Sequence, residues 1–149
     1  MTTGIIIVDH GSRRDESNRM LEEVAALFAK RFAEKYDIVE PAHMELAEPS
    51  IATAFSRCVE RGATQVIVFP YFLLPGRHWN DDIPQLAAAA AEDHPGVRYL
   101  VTAPFGLHPL MAEVMRQRIA HCLAHTRGDA DACELCAGTE RCQLREGSN

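Results

Sequence analysis

A small doubly wound α/β fold with a parallel sheet is the architecture this sequence predicts, on three observations. Residues 4–9 (GIIIVD) and 65–72 (QVIVFPYF) are short apolar runs rich in Ile and Val, the pattern of strands covered on both faces. Segments with helical spacing separate them from two weaker strand-like runs. Gly, Pro and Ser punctuate the changes. Strands alternating with helices imply right-handed crossovers. The expected strand order is 2-1-3-4, a flavodoxin-like sheet that binds ligands at its carboxyl edge, where strands 1 and 3 meet.

Each element has its own reason. Within 15–36, Met20, Leu21, Val24, Leu27, Phe28 and Phe32 fall on one helical stripe. Residues 37–46 read as a weaker strand broken by Pro41, which places it at an edge. Ser50 is set to cap a helix whose apolar face is Ile51, Phe55, Cys58 and Val59, with Gly62 as its stop. Asn80 reads as the cap of a third helix, with Asp81 and Asp82 in its first turn and an early, tolerated Pro84. Residues 97–102 form the fourth strand. A last helix over 109–125, capped at His108, presents Met111, Val114, Met115, Ile119 and Cys122 on one face, so Cys58 and Cys122 read as small core residues. From Thr126 the chain turns polar and loses its apolar period. The expected division is 1–125 as the folded domain and 126–149 as a cysteine-bearing tail that orders only around a ligand.

The totals fit a single domain of 149 residues with 47% hydrophobic content. A net charge of −6 argues against a nucleic-acid groove. No apolar run approaches the ~20 residues of a membrane helix, and no basic leader precedes the first strand. The cytoplasm is the default expectation, where five cysteines are free, metal-bound or redox-active more often than paired.

The chemistry points to two histidines. His10 follows strand 1 in Val8-Asp9-His10-Gly11-Ser12, and His78 follows strand 3 in Leu74-Pro75-Gly76-Arg77-His78. The expected topology brings both to one cleft. Two neutral imidazoles hold a divalent metal and accept protons near neutral pH. The first motif also serves as a plain strand-to-helix turn, with Gly11 for the bend and Ser12 for capping. A phosphohistidine turn would need Arg where Asp9 stands, and Ser12 lacks the elbow that exposes a nucleophile. His43 is either a partner to this site or a satisfied sheet residue. His94, His121 and His125 read as surface positions. Cys133, Cys136 and Cys142 supply three thiolates, too few for a closed four-cysteine site within one chain, whereas a homodimer supplies six.

The block Pro-x-Phe-Leu-x-x-Gly-x-His-x-x-x-Asp-Ile-Pro at 70–84, with the His-Gly-Ser start at 10–12 and the turn at 45–50, resembles the short CbiX-type sirohydrochlorin chelatases over about residues 4–125. That resemblance implies ATP-independent insertion of Fe²⁺ or Co²⁺, with Ni²⁺ also suitable, into sirohydrochlorin by a homodimer, for sirohaem or cobalamin biosynthesis. It maps the two active-site histidines onto His10 and His78, an acidic residue onto Asp82, and a third ligand or base onto Glu45. Ser12, Arg13, Arg14 and Arg77 are the expected receivers of the macrocycle's carboxylates, the alternative for the arginines being solvated loop charge. Some relatives carry a cysteine-rich end holding an iron–sulfur cluster, which makes Cys133, Cys136 and Cys142 candidate ligands of a cluster or of zinc. Two rival readings of the chain stand beside this one: a non-catalytic carrier of metal or tetrapyrrole using the same pocket, and an iron–sulfur regulatory protein whose sheet is only a scaffold. Turnover excludes the first, and activity surviving deletion of 126–149 excludes the second.

Overall fold

The computed structural model describes residues 1–147. Its elements are β1 (Thr3–Asp9), α1 (Asp15–Arg31), β2 (Ile38–His43), α2 (Ile51–Glu60), β3 (Gln65–Pro70), α3 (Ile83–Glu92), β4 (Arg98–Val101) and α4 (Pro109–Thr126); a single π-helical turn, His78–Asp82, leads into α3. The sheet has the expected order, β2-β1-β3-β4, with every pairing parallel.

β1 is central and its residues from Gly4 to Val8 are buried, as a run of isoleucines demands. Ile6 and Val8 face α2 and α3 in a core with Ile51, Phe55, Val66, Val68 and Ile83. Ile5 and Ile7 face α1, where Leu21 and Ala25 cover them. This second face is less completely closed. An apolar groove of about 320 Å³ remains open on it, lined by Ile5, Ile7, Val24, Phe28, Ile67 and Phe69 among others.

Local signals behave as their chemistry predicts in several places. Ser50 Oγ accepts the Thr53 amide at 3.1 Å and caps α2. His108 Nδ1 accepts the Leu110 amide at 3.2 Å and caps α4. Cys58 is buried beneath Gly4, where a Cβ would stand 2.9 Å from its Sγ.

Other expectations are corrected. α1 ends at Arg31, and Phe32 and Tyr36 continue its apolar stripe from a turn, both packing against Phe28. β2 stops at His43, although two further backbone bonds run beyond it. Asn80 is no cap: it lies inside the π-helical turn and donates to Gly76 O at 2.9 Å. His94 is half-buried, bonded to Ser56 and stacked on Phe55.

Two compact units divide the chain, Met1–Gly106 and the segment from Leu107 onward. The second unit therefore includes α4, so this division does not coincide with the expected one at 125/126. No residue of α4 is buried. Cys122 is accordingly not a core residue, and Val114, Met115 and Ile119 are exposed. The segment after α4, expected as a cysteine-bearing tail that orders around a ligand, folds back on the helix. His121 Nε2 meets Asp131 O and His125 Nδ1 meets Ala130 O, each at 2.8 Å, and Arg118 pairs with Glu134. Gly147 closes the described chain; Ser148 and Asn149 lie outside it.

Candidate metal-transfer site

The β1–β3 switch point does bring the two motifs together. His10 lies one residue past β1 and His78 opens the helical turn after β3. Their rings are 4.8 Å apart between centroids and inclined at 71°. Their side chains are 42% and 47% exposed, so both are half open to solvent.

Each imidazole has its own carboxylate. His78 Nδ1 stands 2.7 Å from Asp82 Oδ2, one helical turn on. The wide π-helical turn puts these i and i+4 side chains on one face. A bond from Nδ1–H to the carboxylate leaves Nε2 with its lone pair for a metal or a proton. His10 Nε2 stands 3.1 Å from Glu45 Oε1, while its Nδ1 is 3.3 Å from Gly11 O. When Nδ1–H turns to that carbonyl, Nε2 and Glu45 Oε1 are two acceptors aimed at each other, and only a proton or a cation satisfies both. Glu45, His78 and Asp82 also line one cleft of about 370 Å³, with Met44, Gln85 and Leu86.

The backbone explains why Glu45 reaches His10. Beyond the last strand pair, Met44 N–H donates to Asp9 O at 2.8 Å and Glu45 N–H to His10 O at 3.1 Å. Gly11 turns away at φ +91°, and a Cβ there would meet Glu45 O at 1.9 Å. No side chain fits that approach.

The expected macrocycle receivers are dispersed. Ser12 and Arg13 line a polar hollow with Asn18, Arg19 and Glu48. Ser12 Oγ accepts the Arg14 amide at 3.0 Å, and Asn18 holds the Ser12 backbone at both its N–H and its C=O. Arg13, Arg14 and Arg77 are exposed and form no ion pair among the described residues. Among the described residues no three His, Cys, Asp or Glu side chains are arranged as a ready-made metal cage.

In the second unit, the cysteines have a neighbour that the sequence reading assigned to the core. The Cys142 thiol is pushed up to about 11 by loss of solvent, by Cys122 and by Cys136. Cys136 is raised by Cys133 first and by Cys122 among others. Cys133 is lowered because the Leu135 and Cys136 amides point at its sulfur. Cys122 thus belongs with Cys133, Cys136 and Cys142. Its position 11 residues before the first of them was the available signal, masked by its place on an apolar helical period.

The fold and the geometry define a class: small parallel α/β proteins with two opposed, carboxylate-backed imidazoles at the β1–β3 switch point. The chain belongs to the CbiX family, whose profile matches residues 4–122. It is 61% identical over 147 residues to the "Sirohydrochlorin ferrochelatase, chloroplastic" of Arabidopsis thaliana, covering 97% of this chain and 64% of that protein. A CbiX protein of Marinobacter aquaeolei VT8 has a similar structure, with a TM-score of 0.68 at 30% identity, covering 83% of this chain and 98% of that one. So does the sirohydrochlorin chelatase SirB of Bacillus subtilis subspecies spizizenii, solved in complex with cobalt, with a TM-score of 0.68 at 32% identity over 80% of this chain and 50% of that one. The chain thus spans only about two thirds or less of several curated relatives it matches.

Proposed function

We propose that this protein is a sirohydrochlorin chelatase, inserting Fe²⁺ or Co²⁺ into the macrocycle without ATP. The carrying observation is the pair of facing imidazoles, 4.8 Å apart, each against a carboxylate. Insertion exchanges one dication for two pyrrole protons. Two imidazole–carboxylate pairs match that stoichiometry: His10 with Glu45, and His78 with Asp82. Each imidazole takes one proton and its carboxylate stabilises the resulting cation. His10, Glu45 and His78 hold the incoming metal, and their half-exposed setting keeps it exchangeable. Metal choice among Fe²⁺, Co²⁺ and Ni²⁺ follows availability as much as affinity. The names of the relatives include both ferro- and cobaltochelatases. Ser12, Arg13, Arg14 and Arg77 receive peripheral carboxylates.

A homodimer is part of this reading, supported by the exposed apolar residues Leu110, Val114, Met115 and Ile119 of α4. Light scattering of the purified chain checks it. The thiol segment at 126–149 is read as an iron–sulfur site. Four neighbouring cysteines, Cys122 included, supply the donor set that three do not. Anaerobic reconstitution should give a visible chromophore that Cys122→Ser abolishes as fully as Cys142→Ser does. The thiols favour a reducing compartment, the cytoplasm or the organelle named for the Arabidopsis relative. No helix among the described residues is long and apolar enough to cross a membrane.

Anaerobic absorbance of sirohydrochlorin with Fe²⁺ or Co²⁺ tests the activity. Multiple-turnover loss of the free-macrocycle spectrum above the uncatalysed rate is the expected result. A shift that saturates at one equivalent would instead make the protein a carrier.

A further inference from the structure

Beneath His10 lies a pair of side chains that the proposed reaction does not use. His43 is fully buried at the end of β2. Its Nδ1 is 2.6 Å from Asp9 Oδ1, directly across the β1–β2 register. Its Nε2 is buried without a partner among the described residues. The same Asp9 oxygen accepts the Gly11 amide at 3.0 Å. Gly11 O in turn lies 3.3 Å from His10 Nδ1, and His10 Nε2 lies against Glu45.

These contacts form one chain: His43, the Asp9 carboxylate, the Gly11 backbone through its N–H and its C=O, the His10 ring, Glu45. His43 also lies close to the turn: a Cβ on Gly11 would stand 3.2 Å from His43 Cβ. The His10 ring itself is half exposed, so packing does little to fix it; its orientation depends on the carbonyl at Nδ1 and the carboxylate at Nε2. Stability alone does not account for the pair. An imidazole nitrogen buried without a partner is destabilising, and an apolar side chain of similar size would avoid that penalty.

We infer that Asp9 and His43 are positioning residues of the metal-transfer site, acting through the Gly11 backbone to aim His10 at Glu45 and at His78. They touch neither metal nor macrocycle. The inference rests on the chelatase reading for its effect on rate, and on geometry alone for its effect on the ring.

The test uses the full chain and two readouts. The first is the nuclear Overhauser contact between the His10 and His78 rings, recorded without metal or macrocycle. Asp9→Ala should abolish it in a protein that still unfolds cooperatively, and Asp9→Asn, which keeps an acceptor for Gly11, should restore it. His43→Ala and His43→Asn form an independent pair, because the asparagine amide can stand where Nδ1 stands. This pair decides the matter if Asp9→Ala does not fold. The second readout is Co²⁺ affinity and kcat, each expected to fall about 10- to 100-fold in the alanine variants, with KM for sirohydrochlorin nearly unchanged and recovery in the amide variants. Wild-type ring contact and wild-type Co²⁺ affinity in both alanine variants would overturn the inference. Absence of Co²⁺ binding and turnover in the parent protein would sink the chelatase reading, while the ring contact would still decide the positioning role.

Discussion

The two halves of the candidate site are built in opposite ways. The His10 half is held by backbone: Asp9 O and His10 O accept from Met44 and Glu45, just past β2, Asp9 Oδ1 holds Gly11, and Asn18 holds Ser12 from both sides. The His78 half hangs on the loop after β3, where Leu73 and Leu74 are 66% and 65% exposed and Gly76 has open space around it. Its ties run to the loop after β4 and within the segment itself: Gly106 N–H to Leu73 O at 2.7 Å, Phe105 N–H to Phe72 O at 3.1 Å, the Trp79 indole to Thr102 O at 2.8 Å, and Asn80 N–H to Gly76 O at 2.9 Å. One histidine follows a turn bonded to the segment beyond β2, and the other stands beside an exposed loop.

Substitutions can break this contrast. His10→Ala and His78→Ala should cost most, about 10²- to 10⁴-fold in insertion rate, with thermal unfolding close to the parent's. Equal activity in both variants would remove the imidazoles from the reaction. Gly11→Ala comes next. Its left-handed backbone and the 1.9 Å approach to Glu45 O should destabilise the fold by about 1–3 kcal/mol and lower activity through displacement of Glu45. Gly76→Ala, in open space, should change the melting temperature little; a comparable loss there would erase the contrast between the halves. Asp82→Asn should lower kcat by about tenfold, because it keeps a hydrogen-bond acceptor for His78 Nδ1 but loses the charge.

The smallest effect is a pH dependence away from the site. Burial pushes the Cys58 thiol up to about 12. The folded protein therefore holds that proton more tightly than the unfolded chain, whose thiol titrates near its ordinary value. The contribution is complete below about pH 8.5 and is lost as pH rises towards 12. Melting temperatures of the parent and of Cys58→Ala should converge over that alkaline window. A constant difference would show that Cys58 contributes by packing alone.

Much of this fold was legible because its signals are local. Unbroken isoleucine in β1 means burial on both faces, Ser50 and His108 cap by their own side chains, and the parallel order follows from alternation. The site's histidines were legible for the same reason, each standing just past such a strand. What escaped needs register. That Asp9 faces His43, and that Glu45 is zipped to His10, depends on which residues of β1 and β2 pair, and no single run of sequence states it. The π-helical turn escaped because Asn80 and two aspartates carry the signature of an ordinary cap, yet the turn had already begun at His78. Cys122 escaped because its spacing from Ile119 and Met115 imitates a buried stripe, although the apolar residues of α4 spread over more than half its circumference.

The outer strand has a consequence for the protein's life in a crowded solution. Met44 N–H points to β1, so His43, Pro41 and Val39, at alternate positions, point theirs outward. His43 N–H is taken by Pro49 O at 2.8 Å, and Pro41 has none to give. The free margin of the sheet at β2 is left with Val39 as its single outward amide in that stretch. An extended chain approaching this margin finds few donors to pair with, so Pro41 and the His43–Pro49 bond disfavour edge-to-edge stacking at β2.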